Sequence, residues 1–325
     1  MTAENVSEKK HWDDYSSLHA GVCLADDQLH ALQQTLTGML REIVTVCEKH
    51  RIPCFLVGGT ALGAMRHGGF IPWDDDIDIA MFRRDYERFL QCFEAESGDR
   101  YYVQTPEYTD GYTSLIPRIR AAGTVVRCRE DLWTDEAHSG AWVDLFVIEN
   151  TFDNAVWRFL HGILCLTFGG LLACRKIFAV RKNLRQFIVP GSGYAKKVQL
   201  RSFIGGCFAW LPVNRVRKIA NGCFKLCGSD HSKFVTIPAG HWRFFRETYD
   251  RRVFSGDRMV KFENFPCRVP EMVEKYLEHC YGDWQTIPPD GDREVHFFCA
   301  FALDENDPAA KKSMEMRYEN INCGF

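Results

Sequence analysis

The apolar positions near the start of the chain follow two different periods, which separate helices from strands. From Asp26 to Cys47 the apolar side chains recur every three or four residues, which predicts an amphipathic helix with one wet face. Cys54 to Val57 is a short apolar run that ends at Gly58 and Gly59, and the TALGAMR segment after it is helical in character. This order predicts a strand, a tight turn and a second helix.

A group of shorter apolar runs follows, with one helical segment among them. In the run Asp76 to Met81 apolar and polar positions alternate, which predicts a half-buried strand, and Arg83 to Ala95 has a helical period. Further β-like runs lie at Tyr101 to Gln104, Leu115 to Ile119, Thr124 to Cys128 and Ala141 to Ile148. We therefore expect an α+β fold with a small mixed sheet and flanking helices.

The pattern becomes apolar and basic from Asn154 onward. Between Asn154 and Lys233 there are fourteen Lys and Arg residues but a single acid, Asp230, although the whole chain has a net charge of −3. This asymmetry predicts a surface that meets an anionic partner, such as phospholipid head groups, a lipid-linked glycan or a nucleotide. Two interpretations stay open, namely helices that lie on a membrane surface and an ordinary helical subdomain with a solvated basic face.

The uncharged stretch Phe159 to Cys174 bears on the same question. It has sixteen residues, fewer than the roughly 20 that span a bilayer, so we expect a buried or interfacial helix rather than a transmembrane one. The aromatic residues of the basic block form no recognisable RNA- or DNA-binding motif, so no nucleic-acid partner is expected. The opening residues lack the pattern of a secretory signal and the fourteen cysteines lack disulfide or zinc spacing, so we expect a cytoplasmic protein.

These changes in composition and hydrophobic pattern predict four segments. A flexible tail occupies residues 1–20, and a catalytic core occupies residues 21–150. The basic amphipathic helical region follows at 151–235, as an insertion that faces a membrane in the first interpretation. Residues 236–325 then complete the catalytic domain, and the turn-rich run from Tyr281 to His296 is expected to pack as a loop over the sheet.

The candidate chemistry is concentrated between residues 56 and 81. Asp76 and Asp78 lie two apart on a predicted strand, so both side chains leave the same face with Cα atoms about 6.6 Å apart. Such a pair suits Mg²⁺, which usually takes one or two carboxylates together with substrate phosphates. Gly58 and Gly59 let the backbone approach a phosphate closely, and the helix that starts near Thr60 directs N–H groups at it.

A third acid is expected from a neighbouring strand, and Asp144 is the candidate because it is a lone charge within an apolar β-like run. Each feature also has an ordinary structural explanation. A glycine pair is often only a turn, the acids Asp74 to Asp76 are often a solvated loop, and a strand aspartate can simply be salt-bridged. Their order and spacing together favour a metal-dependent phosphoryl-transfer site.

The string LVGGTALGAMRHGGFIPWDDDIDIAM, residues 56–81, resembles the signature of the LicD and fukutin-related family. The resemblance continues with ArgIleArg at 118–120, GlyAlaTrpValAspLeuPhe at 140–146, TyrGlyAspTrp at 281–284, ProPro at 288–289 and His296. Members of this family have a nucleotidyltransferase fold and transfer phosphocholine or related phospho-alcohols from a CDP-linked donor onto sugars. Fukutin-type members begin with a membrane anchor that this sequence does not display, which favours a bacterial-type enzyme.

The resemblance implies a role for each matching residue. Donor phosphate would be bound by Gly58, Gly59 and Thr60. The metal, Mg²⁺ or Mn²⁺, would be held by Asp76, Asp78 and Asp144, and Asp144 is alternatively the base that takes the acceptor proton.

Further matching residues are implied to contact substrate, although each could instead brace the fold. Phosphate contacts would come from Arg66 and His67, and charge on the departing CMP would be offset by Arg118 and Arg120. His296 would contact substrate, and Tyr281 and Asp283 are the weakest candidates.

The reaction implied is metal-dependent transfer of a phospho-alcohol from a CDP-alcohol donor to a glycan, with release of CMP. The acceptor would be a sugar hydroxyl of a lipopolysaccharide or teichoic acid, or of a lipid-linked precursor at the inner face of the membrane. Two alternatives stay open. One is transfer of NMP from an NTP with release of pyrophosphate, and the other is a catalytically silent glycan- or lipid-binding relative, although the three carboxylates and the glycine pair are all present.

Overall fold

The structure is a computed structural model that describes residues 24–128, 139–184, 191–256, 258–289, 293, 295–296 and 298–307. Its helices are α1 (Asp26–His50), α2 (Gly58–Arg66), α3 (Arg83–Ser97), α4 (Ala155–Leu184), α5 (Gly193–Cys207), α6 (Val213–Phe224), α7 (Arg243–Arg246) and α8 (Val273–Tyr281), with 3₁₀ turns at Gly98–Arg100 and Arg251–Phe254. Its strands are β1 (Phe55–Leu56), β2 (Asp78–Phe82), β3 (Tyr101–Gln104), β4 (Arg118–Ala121), β5 (Val125–Cys128), β6 (Trp142–Thr151), β7 (Phe234–Thr236), β8 (Thr248–Asp250), β9 (Met259–Phe262), β10 (Phe265–Arg268) and β11 (Phe298–Ala302).

The main sheet is mixed and joins distant parts of the chain. Its strands run in the order β3-β4-β6-β2-β1-β10-β9, and β7 and β8 extend it from the end of β6. β2 pairs with β6 in parallel and with β1 in antiparallel orientation, while β1 pairs in parallel with β10. β5 and β11 form a separate two-stranded sheet. The predicted α+β class, with a mixed sheet and flanking helices, is confirmed.

Some predicted boundaries are wrong by a few residues, and the strand predicted to be half-buried is buried on both faces. α2 begins at Gly58 itself, so no separate turn lies between β1 and α2. β2 begins at Asp78 rather than Asp76, and its central residues Ile79, Ala80 and Met81 are fully buried rather than half-buried. Alternation did not predict this because β2 is paired along both edges and covered on both faces. The strand predicted from Leu115 begins at Arg118.

The core lies between this sheet and helices on both of its faces. α1 and α3 pack against β6 and against each other, and they bury Leu40 and Phe89 completely. Aromatic rings fill the face to which Phe82 belongs, where Phe55, Phe82 and Phe254 meet edge to face with ring centroids 5.7–6.4 Å apart. Because side chains alternate along a strand, Asp78 lies on this same face of β2.

A layer of three helices, α4, α5 and α6, packs beside the sheet. The helix predicted around residues 159–174 is present, but α4 has 30 residues and includes the charged side chains of Arg158, Arg175 and Lys176. Within the described residues, one helical segment, Ala155–Lys182, is long and apolar enough to cross a membrane by length and composition alone. The uncharged stretch therefore underestimated the length of the helix, because isolated charged residues do not end a helix.

The predicted segments 21–150, 151–235 and 236–325 remain predictions. The strands β7 to β10 return to the main sheet after the helical layer. The tail at residues 1–20 and the end of the chain from residue 308 lie outside the described residues.

Candidate active site

The register of three neighbouring strands lines up three charged side chains. Asp144 of β6 is the partner of Asp78 in the parallel pairing with β2, and it is also the partner of Arg118 in the antiparallel pairing with β4. Residues directly opposite each other on paired strands point to the same face of a sheet. Two carboxylates and one guanidinium therefore stand side by side across the sheet, at the end where β2 begins.

The glycine that opens α2 makes room for one of these carboxylates. Gly58 has φ +56°, a left-handed conformation that favours glycine, and a Cβ at this position would overlap Oδ2 of Asp78. A Cβ on Gly59 would lie 3.0 Å from Oδ2 of Asp74. The absence of both side chains thus allows the start of α2 to touch the carboxylates of the acidic segment.

Hydrogen bonds fix the start of α2 from two sides. The hydroxyl of Thr60, which is 2% exposed, accepts a hydrogen bond of 2.8 Å from the backbone N–H of Asp78. The N–H of Gly58 donates to the hydroxyl of Tyr276 on α8 at 2.9 Å. The helix start is therefore held in place relative to β2 and α8 by groups that belong to the protein itself.

Asp76 completes a cluster of three carboxylates with Asp78 and Asp144. One oxygen from each of the three lies within 4.8 Å of the other two. Burial, the largest cause, raises the pKa of Asp76 to about 6; His296 opposes this shift, and the charges of Asp75 and Asp144 add to it. Burial, followed by the charges of Asp76 and Asp144, also raises the pKa of Asp78 well above its usual range.

The donor set fits a hard divalent cation. All three groups offer carboxylate oxygens, which are the ligands that Mg²⁺ and Mn²⁺ prefer, and a cation would offset the mutual repulsion that raises the pKa values of Asp76 and Asp78. The predicted metal ligands thus form a cluster that can hold a metal. Which metal it holds stays a prediction.

Asp144 is more constrained than its two partners. Oδ1 accepts from Nε of Arg118 at 2.7 Å, and Oδ2 accepts from Nε1 of Trp142 at 3.2 Å and from a terminal nitrogen of Arg118 at 3.4 Å. The guanidinium of Arg118 also lies over the Trp142 ring, 4.9 Å from its centroid. Because both oxygens already accept hydrogen bonds, Asp144 is better suited to hold charge in a fixed place than to accept a proton.

A second pair joins the chain's C-terminal part to the acidic segment. Asp75, which is 6% exposed, accepts from the backbone N–H of His296 at 3.0 Å, and its other oxygen lies 2.6 Å from His296 Nδ1. The same Nδ1 lies 3.8 Å from Oδ2 of Asp76. His296 therefore stands beside the carboxylate cluster, and its contact with substrate stays a prediction.

Three other predicted residues lie or donate elsewhere in the fold. His67 is exposed at the C-terminal end of α2, about 13 Å along the helix axis from Gly58. Arg66 donates to the carbonyls of Trp284 at 3.0 Å and Thr286 at 3.3 Å. Arg120 is 3% exposed and donates to Gln104 and to the Gly140 carbonyl; its role beside the departing CMP stays a prediction.

Two weaker candidates also lie in structural positions. Tyr281 ends α8, and Asp283 accepts a hydrogen bond of 2.6 Å from the Thr286 hydroxyl in the loop after it. Neither belongs to a group of carboxylate, His or Cys ligands in the part of the chain that the structure describes.

Three residues at the site were not singled out from the sequence. Asp75 was taken as part of a solvated acidic loop, Trp142 was only part of a motif, and Tyr276 lies on a helix far along the chain. The burial of one acid within three consecutive acids leaves no periodic signal, and contacts of Tyr276 with Gly58 span 218 residues. Of the three, only Trp142 could have been predicted from the sequence, because it lies two residues before Asp144 and so on the same face of the strand.

Comparisons with known proteins place this chain beside characterised transferases in sequence. Residues 51–161 match the family described as LicD/FKTN/FKRP, nucleotidyltransferase domain. Lipopolysaccharide cholinephosphotransferase LicD of Haemophilus influenzae is 26% identical over 274 residues, which cover 82% of this chain and 95% of that protein. Ribitol 5-phosphate transferase FKRP of Mus musculus is 40% identical over 176 residues, which cover 49% of this chain and 31% of that protein.

Proposed function

Because the chain belongs to the LicD and fukutin-related family, we propose that it transfers a phospho-alcohol from a CDP-linked donor to a hydroxyl of a glycan, with release of CMP. The observation that carries the proposal is the position of three carboxylates, with oxygens within 4.8 Å of one another, directly beside the first turn of α2. A metal site and a phosphate site at one place suit a reaction at a diphosphate.

The first turn of α2 is the proposed donor phosphate site. The N–H groups of a first helical turn have no acceptor within the helix, and the N-terminal end of the dipole favours an anion. Gly58 already donates to Tyr276, so the N–H groups of Gly59 and Thr60 are the candidates for phosphate contact. The Thr60 hydroxyl accepts from Asp78, which ties the phosphate site to the metal site.

Asp76, Asp78 and Asp144 are the proposed metal ligands. A divalent cation bound there would offset charge on the phosphate oxygens, and Mg²⁺ or Mn²⁺ suits the three carboxylates. Arg118, held by Asp144 and Trp142, supplies a fixed positive charge at the same edge of the site. These residues would stabilise the charge that develops as the bond between the transferred phosphorus and CMP breaks.

The proton of the acceptor hydroxyl needs a base near the cluster. His296 is the proposed base, because its Nδ1 is held by Asp75 and an imidazole can take up a proton near neutral pH. The hydroxyl oxygen attacks the phosphorus distal to the nucleotide, its proton passes to His296, and CMP leaves with the electrons of the broken P–O bond. In this scheme Asp144 stays a ligand rather than the base.

The substrate class comes from the relatives. The Haemophilus protein is named for cholinephosphate transfer to lipopolysaccharide and FKRP for ribitol 5-phosphate transfer. We therefore propose phosphocholine or a related phospho-alcohol as the group transferred and a sugar of a cell-surface glycan or its precursor as the acceptor. The match to the Haemophilus protein covers far more of both chains, so CDP-choline is the first donor to test.

The test is release of CMP from purified protein incubated with CDP-choline, CDP-ribitol and CDP-glycerol, each with Mg²⁺ and with a chelator. We expect metal-dependent CMP release from one donor above the other two. Asp78→Asn removes a ligand and should lower the rate by at least about 100-fold. Asp27→Asn, the same change at an exposed position of α1, should leave it unchanged.

Two outcomes would contradict the proposal. One is pyrophosphate release from an NTP with no CMP release from any CDP-alcohol, which would instead support nucleotidyl transfer. The other is an Asp78→Asn variant that keeps its far-UV spectrum and the wild-type rate, since the carboxylate cluster would then have no part in the reaction.

A further inference from the structure

α4 is apolar on a face that the rest of the described chain leaves uncovered. The exposed apolar side chains of its first half recur at helical spacing and form one stripe: Val156, Trp157, Phe159, Leu160, Ile163 and Leu164. Trp157 is 60% exposed and Val156 is 66% exposed. Such a continuous stripe of large apolar side chains marks an interaction surface rather than ordinary exposure.

The opposite face of α4 is packed against the protein. His161 is 1% exposed, and its ring nitrogens lie 3.0 Å from the Thr151 hydroxyl and 2.8 Å from the Cys223 carbonyl. Cys165 packs in the same cluster with Phe224 and Phe244. A helix that spans a bilayer would have to take this packed face, with its hydrogen bonds, into the lipid. We therefore expect α4 to lie along a membrane surface rather than to span the membrane.

α5 continues the stripe on the same side of the layer. Its Gly205 and Gly206 approach Cys174 and Phe178 so closely that a Cβ on Gly205 would overlap the Cys174 carbonyl. Cys174 lies five full turns after Val156, so α5 covers the continuation of the exposed face of α4. The far side of α5 therefore faces outward in the same direction.

That outward side of α5 is also apolar and aromatic. Phe203 is 72% exposed, and Trp210, just after the helix, is 76% exposed. Leu200 and Ile204 lie on the same face at helical spacing. Where α5 ends against α4, a groove of about 440 Å³ is lined by Leu171, Ile204 and Phe208, with Arg201 and Arg243 beside it.

The charge around this surface decides what it can meet. Lys196 and Lys197 lie one turn before Leu200 and are exposed. Residues 154–233 contain fourteen basic side chains against one acid, and of these Arg175 and Arg217 are buried and do not belong to the surface. Two copies of such a surface would repel each other, whereas an anionic bilayer attracts basic side chains and accepts aromatic ones. Basic residues beside an apolar aromatic face are the composition of helices that lie in the membrane interface.

We infer that the outward face of α4 and α5 docks the protein in plane on an anionic membrane, with the aromatic side chains inserted and the basic ones at the head groups. This surface is defined by the exposed residues of α4 and α5 named above and by Trp210. It is separate from the carboxylate cluster, so its test does not depend on the proposed reaction.

Flotation of the full chain with vesicles tests this inference. We expect binding to vesicles of phosphatidylglycerol and phosphatidylcholine, weak binding to phosphatidylcholine alone, and weaker binding as salt rises. Phe203→Ser with Trp210→Ser should lower the affinity at least about tenfold. Tyr108→Ser with Met259→Ser, two exposed apolar side chains elsewhere, is the matched control and should bind as the wild type does.

A charge variant measures the electrostatic contribution to membrane binding. Lys196→Glu with Lys197→Glu should lower the affinity at least about tenfold, while Lys261→Glu with Lys275→Glu makes the same change in net charge on strand β9 and helix α8 and should have little effect. Carbonate at high pH should release the protein from membranes, because an in-plane helix pair is not embedded.

Four results would overturn the inference. They are a wild type that stays unbound at low salt, test and control variants that bind alike, resistance to carbonate extraction, and a wild-type dimer in sedimentation velocity that the Phe203→Ser and Trp210→Ser changes dissociate. The last result would identify the surface as an interface between two copies of this chain.

Discussion

Gly58 shows how much of the site depends on single atoms. Its φ is positive, and a Cβ on Gly58 would lie 2.4 Å from Oδ2 of Asp78, so the position has no room for a side chain. The same residue donates its N–H to Tyr276, so it joins the acidic cluster to a helix more than 200 residues away in the chain. We therefore expect one added methyl group at this point to displace the carboxylate cluster and the helix start together.

Gly58→Ala should destabilise the protein and impair the reaction. The left-handed backbone costs an alanine about 1–2 kcal/mol, and displacement of Asp78 by about 1 Å should lower the CMP-release rate by about 100-fold. Thermal denaturation and the rate assay measure the two effects. Gly38→Ala, in α1 with open space around it, should be neutral or stabilising. Equal behaviour of the two variants would contradict the described contact.

The raised pKa values of Asp76 and Asp78 predict how the stability of the metal-free protein changes with pH. The pKa of Asp76 is raised to about 6 in the metal-free fold, against 3.8 for the unperturbed group, so the folded state binds more protons than the unfolded state between these values. Stability is therefore lost as the pH rises through this window, by up to about 3 kcal/mol for this one group. The raised pKa of Asp78 extends the loss to higher pH.

We expect the Tm of metal-free protein to fall between pH 5 and pH 8, and Mg²⁺ to restore it more strongly at pH 8, because the metal competes with protons. Asp76→Asn with Asp78→Asn should flatten both dependences, since other titrating groups are unchanged. Thermal denaturation in chelator and in Mg²⁺ at both pH values measures this. The same slope in wild type and variant would show that these carboxylates are not the cause.

At the scale of elements, the site depends on how α2 is attached to β2. The Thr60 hydroxyl accepts from the N–H of Asp78, and the Val57 N–H donates to the Asp78 carbonyl at 3.1 Å. Both bonds hold the first residue of β2, whose side chain belongs to the carboxylate cluster. The helix start and the strand start therefore act as one unit, although each is short.

Thr60→Val tests this attachment. The valine keeps the shape but leaves the N–H of Asp78 without an acceptor, which should cost about 1–3 kcal/mol and slow CMP release. Thr60→Ser retains the hydroxyl and should recover most of both quantities. Thr45→Val on the exposed side of α1, where the hydroxyl donates to the Arg41 carbonyl, is the matched control and should change stability little. Urea unfolding and the rate assay distinguish the three variants.

At the scale of the whole molecule, a largely buried polar network joins the helical layer to the main sheet. Glu107 accepts from Arg83 at 2.9 Å and from Asn221 of α6 at 2.9 Å, and Lys225 lies 3.2 Å from it. Burial disfavours the charge of Glu107, but these three partners outweigh it and lower its pKa. Arg83 also donates to Glu149 of β6 at 3.1 Å, so the network links α6 to the sheet that carries Asp78 and Asp144.

Glu107→Gln should lower the free energy of unfolding by about 1–3 kcal/mol, because it removes the negative charge that faces Arg83 and Lys225, while Arg83 keeps its pairing with Glu149. Glu87→Gln removes the same charge from a half-exposed carboxylate 3.8 Å from Lys225 and should cost less than about 1 kcal/mol. Urea denaturation of both variants compares them directly. Similar midpoints would mean that the network does not stabilise the junction between the two layers.

The sequence by itself determined the elements with strong periodicity and the local chemistry of the acidic segment. α1 and α3 followed from side-chain period, because one face of each must be buried. The strand that carries Asp144 followed from an apolar run, and the glycine pair beside spaced acids indicated the kind of site. Both features act over a few residues, so they are visible along the chain. The resemblance to the family added the expected fold and reaction, and the α+β class is confirmed.

Only the tertiary structure decided which groups meet. Sheet order brings Arg118, Asp144 and Asp78 into register, and long-range contacts place Tyr276 at Gly58 and His296 at Asp75. It also separates His67 from the cluster, by the length of one helix, and leaves one face of α4 exposed. Some of these pairs are more than 200 residues apart in the chain. No local period encodes such pairs, because they depend on how elements from distant parts of the chain pack together.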